Sequence, residues 1–412
     1  MRNRLLAGLT VSLTISLAAD RVTLTGKVTD SSGKPLEDAT VMIYHAGVKK
    51  GYSTFCPSCY VDCGKRALTD QAGSFTIPKL DADLRFELLV VHDGYVPKFV
   101  QKVDPSLGPA ETAALAPRAP MNDPNRVVLG RVVDSNSRPV RDAVVLPQGV
   151  AVIVDGKVMG MYGAIEGLEP VAVTNPNGEF ELAYTSKAAA MILEVEARGL
   201  APKVMSAPTG AERKTISVSD GAVIRGRLMN QGKAVGGAEI GLIPRNPGGI
   251  TEGFKMIGDA YGEIRIGTLE DGSFVIPNVP ALVNWYIYGK MESIGALGAT
   301  ALVECATKRD GEDVNVGDIQ IQPGHHLRGK VTLSDRAAMA DGMRVTISST
   351  RGFDSQTVII GRDGSFEFAG LATGEYEILT SVRGYEMADA FVKTIKHDID
   401  NVAIVLDPAP HQ

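Results

Sequence analysis

One short phrase occurs four times, and it limits the possible folds more than any other feature of the sequence. The copies read TDQAGSF at residues 69–75, TNPNGEF at 174–180, TLEDGSF at 268–274 and IGRDGSF at 360–366. In each copy a polar turn ends in glycine, which adopts a positive φ without strain, and a phenylalanine then begins an alternating apolar run. The phrase therefore predicts a β-hairpin. Its glycines are 105, 94 and 92 residues apart, the size of one small β-domain, so the repeat predicts tandem domains.

The composition is that of a globular protein without a basic surface. Apolar residues make up 44% of the 412 residues and charged residues 22%, which is close to ordinary globular usage. The formal net charge is −6, and no basic cluster of the kind that binds a phosphate backbone is visible. We therefore expect no nucleic-acid partner.

The first nineteen residues have the pattern of a secretory signal peptide. A basic start, MRNR, precedes an apolar stretch at 5–17 and the small pair Ala18-Ala19. The apolar stretch is shorter than the roughly 20 residues that cross a bilayer, so cleavage is favoured over an uncleaved anchor. No later stretch is apolar enough to span a membrane. The sequence therefore predicts a secreted, periplasmic or cell-surface protein.

The segments around the repeated phrase alternate in polarity like short strands. The first unit opens with VTLTGKVTD at 22–30, and VVLGRVVD at 127–134, AVIRGRL at 222–228 and HHLRGKVT at 325–332 open the others. Several short strands per unit with no helical period predict an all-β protein of tandem antiparallel Greek-key β-sandwiches. We expect a signal peptide at 1–19 and sandwiches at 20–117, 118–216, 217–322 and 323–412.

The opening of the first unit carries a family resemblance. GKVTDSSGKPLEDATV at 26–41, the TDQAGSF hairpin and the turn DGY at 93–95 resemble the carboxypeptidase regulatory-like domain family. The match is close in the first unit, good in the second and looser in the other two. The resemblance implies about four transthyretin-like (prealbumin-like) sandwiches in a secreted protein. It implies no catalytic residue, no cofactor, and a protein or polysaccharide partner.

A cysteine-rich insertion distinguishes the first unit from the others. Cys56, Cys59 and Cys63 lie within CPSCYVDC, and Cys305 is far away in the chain. In an oxidising compartment the default is a disulfide that closes this loop, joining Cys63 to either Cys56 or Cys59 and leaving one thiol free. Two alternatives remain open: a redox-active C-x-x-C pair, and a thiolate metal site completed by Asp62, His45 or His92. Two readings of nearby Lys49, Lys50, Lys65 and Arg66 remain open: they lower the thiol pKa values, or they form only a solvated rim around the loop.

An aromatic strand in the third unit is a second candidate site. In VNWYIY at 283–288, period-2 alternation places Tyr286 and Tyr288 on one face and Trp285 on the other. Trp285 is expected to lie in the core. If Tyr286 and Tyr288 are both exposed, they form a possible ligand patch on which sugar rings could stack.

Signatures of common enzymes are missing from the sequence. It contains no G-x-S-x-G, no H-E-x-x-H and no glycine-rich phosphate loop, and the aspartates of the hairpins are too few for calcium loops. We therefore expect a secreted, non-enzymatic binding protein without a cofactor. The alternative is a redox or metal-handling protein that uses the Cys56/Cys59/Cys63 loop.

Overall fold

The structure, a computed structural model, describes residues 20–120, 123–245, 261–350, 354–387 and 391–409. The predicted signal segment at 1–19 lies outside these residues. Nearly all the secondary structure is β, which confirms the predicted fold class. The strands form four consecutive units of two sheets each, with one hydrophobic core cluster per unit.

Units 1 and 2 have similar layouts. The elements of unit 1 are β1 Arg21–Asp30, β2 Thr40–Val48, β3 Arg66–Leu68, β4 Ser74–Asp81, β5 Leu84–Val91, β6 Lys98–Val103, a 3-10 helix at Pro105–Leu107 and β7 Ala113–Leu115. A second 3-10 helix at Pro124–Arg126 leads to unit 2, which comprises β8 Val127–Val133, β9 Val144–Val154, β10 Lys157–Tyr162, β11 Ala172–Val173, β12 Glu179–Ala183, β13 Ala190–Glu196, β14 Lys203–Pro208 and β15 Lys214–Ser217.

Units 3 and 4 repeat the plan. Unit 3 comprises β16 Ala222–Asn230, β17 Lys233–Ala234, β18 Glu239–Pro244, β19 Ile264–Gly267, β20 Ser273–Val279, β21 Val283–Gly289, α1 Met291–Ile294, a 3-10 helix at Gly295–Leu297, β22 Ala299–Thr300, β23 Val303–Thr307 and β24 Asp313–Gln322. Unit 4 comprises β25 His325–Leu333, β26 Arg344–Ser349, β27 Ser355–Ile359, β28 Ser365–Leu371, β29 Gly374–Ser381, β30 Tyr385–Glu386, β31 Phe391–Ile395 and β32 Ile399–Pro408.

The sheets differ from the predicted antiparallel pattern in one recurring place. The strand that opens each unit pairs in parallel with a strand near the end of the same unit: β1 with β7, β8 with β15, β16 with β24 and β25 with β32. The other ladders between described strands are antiparallel. A parallel pair needs a long connection, and here the rest of the unit supplies it.

The threonine of the repeated phrase is a buried structural residue. Thr69 is 3% exposed; its hydroxyl accepts the Ala39 amide at 2.9 Å and donates to the Leu36 carbonyl at 2.6 Å. Thr174 and Thr268 make the equivalent pair of bonds in units 2 and 3. In unit 4 the position is Ile360, which is also buried. The phrase thus ties the turn between β3 and β4 to the segment that leads into β2. The predicted β-hairpin was wrong, because β3 pairs with β2 and β4 pairs with β1, so the turn carries the chain from one sheet to the other.

The phenylalanine of the phrase packs on a glycine of the opening strand. A Cβ on Gly26 would lie 2.5 Å from the Phe75 ring, and one on Gly130 would lie 2.1 Å from the Phe180 ring. Gly226 and Gly329 stand in the same relation to the other two phenylalanines. Each opening strand therefore requires glycine at this position, because the aromatic ring occupies the space that a side chain would take.

Units 1 and 2 pack through the outer faces of two sheets. Met42 and Leu89 of unit 1 form a buried cluster with Val144 and Val171 of unit 2. The outer face of a sandwich sheet usually meets water, so this contact turns two domains into one packed body. Within the described ranges, no helix is long and apolar enough to cross a bilayer.

Candidate functional site

A cavity of about 640 Å³ lies where units 1, 2 and 3 meet, and we call it the junction cavity. Unit 1 contributes β2 and the loop at 49–65 that holds Cys56, Cys59 and Cys63, which we call the cysteine loop. Unit 2 contributes the end of β13, and unit 3 contributes β19. Its volume is in the range of small-molecule sites, which are concave and carry a few polar groups on a largely apolar wall.

Carboxylates of β13 form the polar wall of the junction cavity. Glu194 and Glu196 share one face of the strand because side chains alternate along it. That face packs against unit 1, so burial, together with the negative charge of Glu196, raises the pKa of Glu194 to about 7. The Gln148 amide donates to Glu194 at 2.7 Å. Glu194 therefore changes charge near neutral pH.

Unit 1 faces this wall with an aromatic pair. The Tyr44 hydroxyl donates to Glu196, and the rings of Tyr44 and His45 stack at 3.9 Å between centroids. His45 Nδ1 lies 3.1 Å from the Glu87 carboxylate, and Nε2 lies 3.8 Å from Glu196. Burial first, and then the Glu196 charge, raises the pKa of Tyr44 far above its usual range. Tyr44 therefore remains a neutral donor.

The positive groups around the junction cavity are largely paired within the protein. Arg66 donates to Asp142 at 2.8 Å across the contact between units 1 and 2. Arg265 donates to Glu263 at 2.5 Å on the side of unit 3. The cavity thus offers mixed hydrogen-bonding groups without a strong net charge.

The cysteine loop joins three units. The Gly267 amide of unit 3 donates to the Ser53 carbonyl at 2.5 Å, and Arg198 of unit 2 donates to the Tyr60 carbonyl at 3.2 Å. Cys56, Pro57 and Ser58 line the cavity. An insertion that looks isolated in the sequence is therefore a brace between domains and a wall of the cavity.

The disulfide differs from the predicted pairings. Cys56 is joined to Cys59 across a tight turn with the Cα atoms 5.0 Å apart, and Cys63 is the free thiol of the loop. The prediction that Cys63 takes part was wrong because Cys63 is 2% exposed and packs in the core of unit 1, with its thiol toward the Pro57 carbonyl at 3.3 Å.

The predicted lowering of the thiol pKa is also not found at Cys63. Burial raises the pKa of this thiol to about 11, which outweighs the opposing effect of Arg198. Of the basic residues near the loop, Lys49 pairs with Asp104, Lys65 with Asp62 and Arg66 with Asp142. Their charges act on carboxylates rather than on sulfur.

The proposed fourth metal ligands have other contacts. Asp62 is 2% exposed and accepts from Arg21 at 3.2 Å and from Lys65 at 2.6 Å. His45 faces the carboxylates of Glu87 and Glu196, and both His92 nitrogens lie near backbone carbonyls. Over the part of the chain that the structure describes, no group of three or more candidate ligands could hold a metal ion.

The aromatic strand of unit 3 is mostly internal. Trp285 is fully buried, and its indole donates to the Thr307 hydroxyl at 3.1 Å. Tyr288 is 2% exposed and donates to Glu263, while Tyr286 is half-buried. The hypothesis of a ligand patch required both tyrosines to be exposed. Tyr288 does not meet this requirement.

Tyr44, Glu194 and Glu196 are site residues that no motif in the sequence marks. Alternation along a strand marks such carboxylates as solvent-facing, which is the wrong reading here. A signal was nevertheless present: residues 144–146 and 88–91 are continuous apolar runs, typical of strands covered on both faces. Such runs indicate a buried outer face without saying what covers it.

Comparisons with known proteins identify the first unit. Residues 23–116 match the sequence model of the carboxypeptidase regulatory-like domain. A search of curated proteins found no match.

Among solved structures, a streptococcal ancillary pilin is 12% identical, with 69% of this chain and 100% of that chain covered and a TM-score of 0.22. The TIE protein of Bacillus anthracis is 11% identical, with 96% and 76% covered and a TM-score of 0.18. BcpA, the major pilin subunit of Bacillus cereus, is 10% identical, with 95% and 100% covered and a TM-score of 0.19. The match of residues 23–116 makes unit 1 a member of the carboxypeptidase regulatory-like domain family.

Proposed function

We propose that this chain is a secreted, non-enzymatic binding protein whose ligand site is the junction cavity. In this proposal a signal peptide at 1–19 is followed by four sandwiches of the same family at 20–117, 118–216, 217–322 and 323–412. The ligand is a segment of a protein or polysaccharide at the cell surface. The observation that carries the proposal is that a cavity of about 640 Å³ is built jointly by three units.

The chemistry of the wall supports binding rather than catalysis. Tyr44 is a neutral donor engaged with Glu196, and the free thiol of the cysteine loop, Cys63, is kept protonated by burial. A nucleophile needs a neighbouring base or a lowered pKa. The cavity wall instead offers donors, acceptors and apolar surface, the groups that orient a bound molecule.

Blocking the cavity tests the proposal. Ser58 lies on the cavity wall, so Ser58→Trp fills part of the space. Ser31→Trp in an exposed turn of the same unit is the matched control. We expect the wild type and Ser31→Trp to bind the same polysaccharides on a glycan array, or to capture the same protein from the source's surface fraction. In the same assay Ser58→Trp should bind at least ~10-fold less. Equal retention by all three proteins would refute the proposed site.

A redox role is the second candidate, because the disulfide joins the two cysteines of the C-P-S-C motif at the cavity wall. The metal-handling form of this alternative is weakened, since the disulfide removes two of the three thiolates of the loop. An insulin-reduction assay with dithiothreitol distinguishes the candidates. If the protein accelerates insulin reduction and Cys56→Ser abolishes the acceleration, the redox role is favoured. If the rate stays at the uncatalysed value, the binding role is favoured.

A further inference from the structure

A projecting hairpin in unit 2 is exposed on all sides. Strands β9 and β10 are joined by a two-residue turn, in which Asp155 and Gly156 both have positive φ. Strand β9 pairs with β13 only as far as Ala151, so the tip extends beyond the sandwich. None of residues 152–162 lines the junction cavity.

The hairpin carries apolar side chains where a soluble edge strand usually carries charge. Met159 is 50% exposed, Met161 44%, Tyr162 45% and Val158 38%. Strand β10 is the edge of its sheet, and no other described strand pairs with its outer side. It contains no proline, and its only charged residue, Lys157, lies at the turn. Such an edge is a template for pairing with another strand.

The register of the hairpin shows which backbone groups are free. Val154 and Lys157 flank the two-residue turn, so they form a hydrogen-bonded pair, and every second residue of β10 faces β9 in the same way. The Gly163 amide, which donates to the Gln148 carbonyl at 3.2 Å, follows this alternation. Val158, Gly160 and Tyr162 therefore direct their amides and carbonyls away from β9.

We propose that β10 pairs with β10 of a second copy of this chain around a two-fold axis at Gly160, forming a homodimer with a continuous sheet. Centring the axis on Gly160 pairs each of the three outward-facing residues with one on the other copy, for up to about 6 hydrogen bonds. Centring it on Met159 or Met161 leaves an outward-facing residue opposite a turn or loop.

The side chains match in this register. Val158 lies opposite Tyr162 of the second copy, and Met159 lies opposite Met161, so the cross-strand pairs are apolar. Lys157 lies opposite Gly163, and the two lysines are separated by about 20 Å of strand. The Tyr162 ring covers Gly160, since a Cβ there would lie 2.9 Å from it. The four exposed apolar side chains of β10 amount to on the order of 300 Å² per copy, which places the dimer at the weak end of protein interfaces.

Sedimentation equilibrium of the full chain tests the proposal. We expect association with a Kd of about 10–100 µM. Val158→Pro removes an outward amide and leaves the ladder to β9 intact, so it should weaken association at least ~10-fold. Ile153→Ser is the matched control, because Ile153 is 65% exposed on β9, one strand away from the edge, and it should change the Kd by less than ~3-fold.

A crosslinking experiment tests the register even if Val158→Pro disturbs the hairpin. Met159→Cys chains mixed with Met161→Cys chains should form a disulfide-linked dimer under mild oxidation, whereas each variant alone should not. A monomer up to about 500 µM, or equal crosslinking in the mixture and in the single variants, would overturn the proposal. Binding of a monomeric chain to phosphatidylglycerol vesicles would also overturn the proposal if Ile153→Ser abolished it in a co-sedimentation assay. The apolar side chains of the hairpin would then contact a membrane and not a second copy.

Discussion

The buried carboxyl of Glu194 gives the sharpest prediction, because one isosteric substitution isolates its charge. Its pKa rises from an ordinary value of 4.5 to about 7, and each unit is worth about 1.4 kcal/mol. Ionisation in the folded protein therefore costs about 3 kcal/mol relative to the unfolded chain. In Glu194→Gln the amide oxygen can still accept from Gln148, so the contact is kept while the charge is lost.

The raised pKa of Glu194 determines whether the free energy of unfolding rises or falls with pH. Between pH 4.5 and about 7 the folded protein holds a proton at Glu194 that the unfolded chain has released, so the free energy of unfolding falls as pH rises. Above about pH 7 this loss is complete. Glu194→Gln should be more stable than the wild type by about 2–3 kcal/mol at pH 8 and nearly equal to it at pH 4.5.

Differential scanning calorimetry across this pH range measures the difference. The transition that includes units 1 and 2 should shift upward by about 4–12 °C at pH 8 in Glu194→Gln, since about 1 kcal/mol moves the midpoint of a body of roughly 150–250 residues by 2–4 °C. The control is Glu166→Gln, at an exposed loop position of the same unit. Parallel pH profiles of the wild type and Glu194→Gln would show that Glu194 is not a buried carboxyl with a raised pKa.

Three further predictions concern the fold. Thr69→Val leaves the buried Ala39 amide without its acceptor and should lower the free energy of unfolding of unit 1 by about 1–3 kcal/mol in urea denaturation. Thr76→Val on the exposed face of β4 should change it little. Equal effects of the two substitutions would contradict a structural role for the Thr69 hydroxyl. Gly130→Ala forces a Cβ into the Phe180 ring and should cost about 1–3 kcal/mol by thermal unfolding, unlike Gly47→Ala, where no atom lies within 4 Å. Thiol titration of the unfolded, unreduced protein should find two free thiols, and a count of four would rule out the disulfide.

The sequence determined the fold class because the signals that carry it are local. Turn glycines with positive φ, such as Gly73 and Gly178, and the phenylalanines that follow them are readable within a few residues. Their recurrence at domain-sized intervals then predicted tandem sandwiches. The reason for a glycine at position 130 of the opening strand was not readable, since its contact with Phe180 forms only when two strands pair.

The candidate site depended on tertiary structure for a different reason. Glu194 and Glu196 alternate with apolar residues as on any solvated sheet face, and only the packing of unit 1 onto that face buries them and shifts a pKa. Which two of three closely spaced cysteines pair was likewise decided by the fold, because the core of unit 1 takes up Cys63 and leaves Cys56 to Cys59. Local chemistry thus specified each sandwich, whereas the cavity and its electrostatics arose from contacts between sandwiches, which no short stretch of sequence encodes.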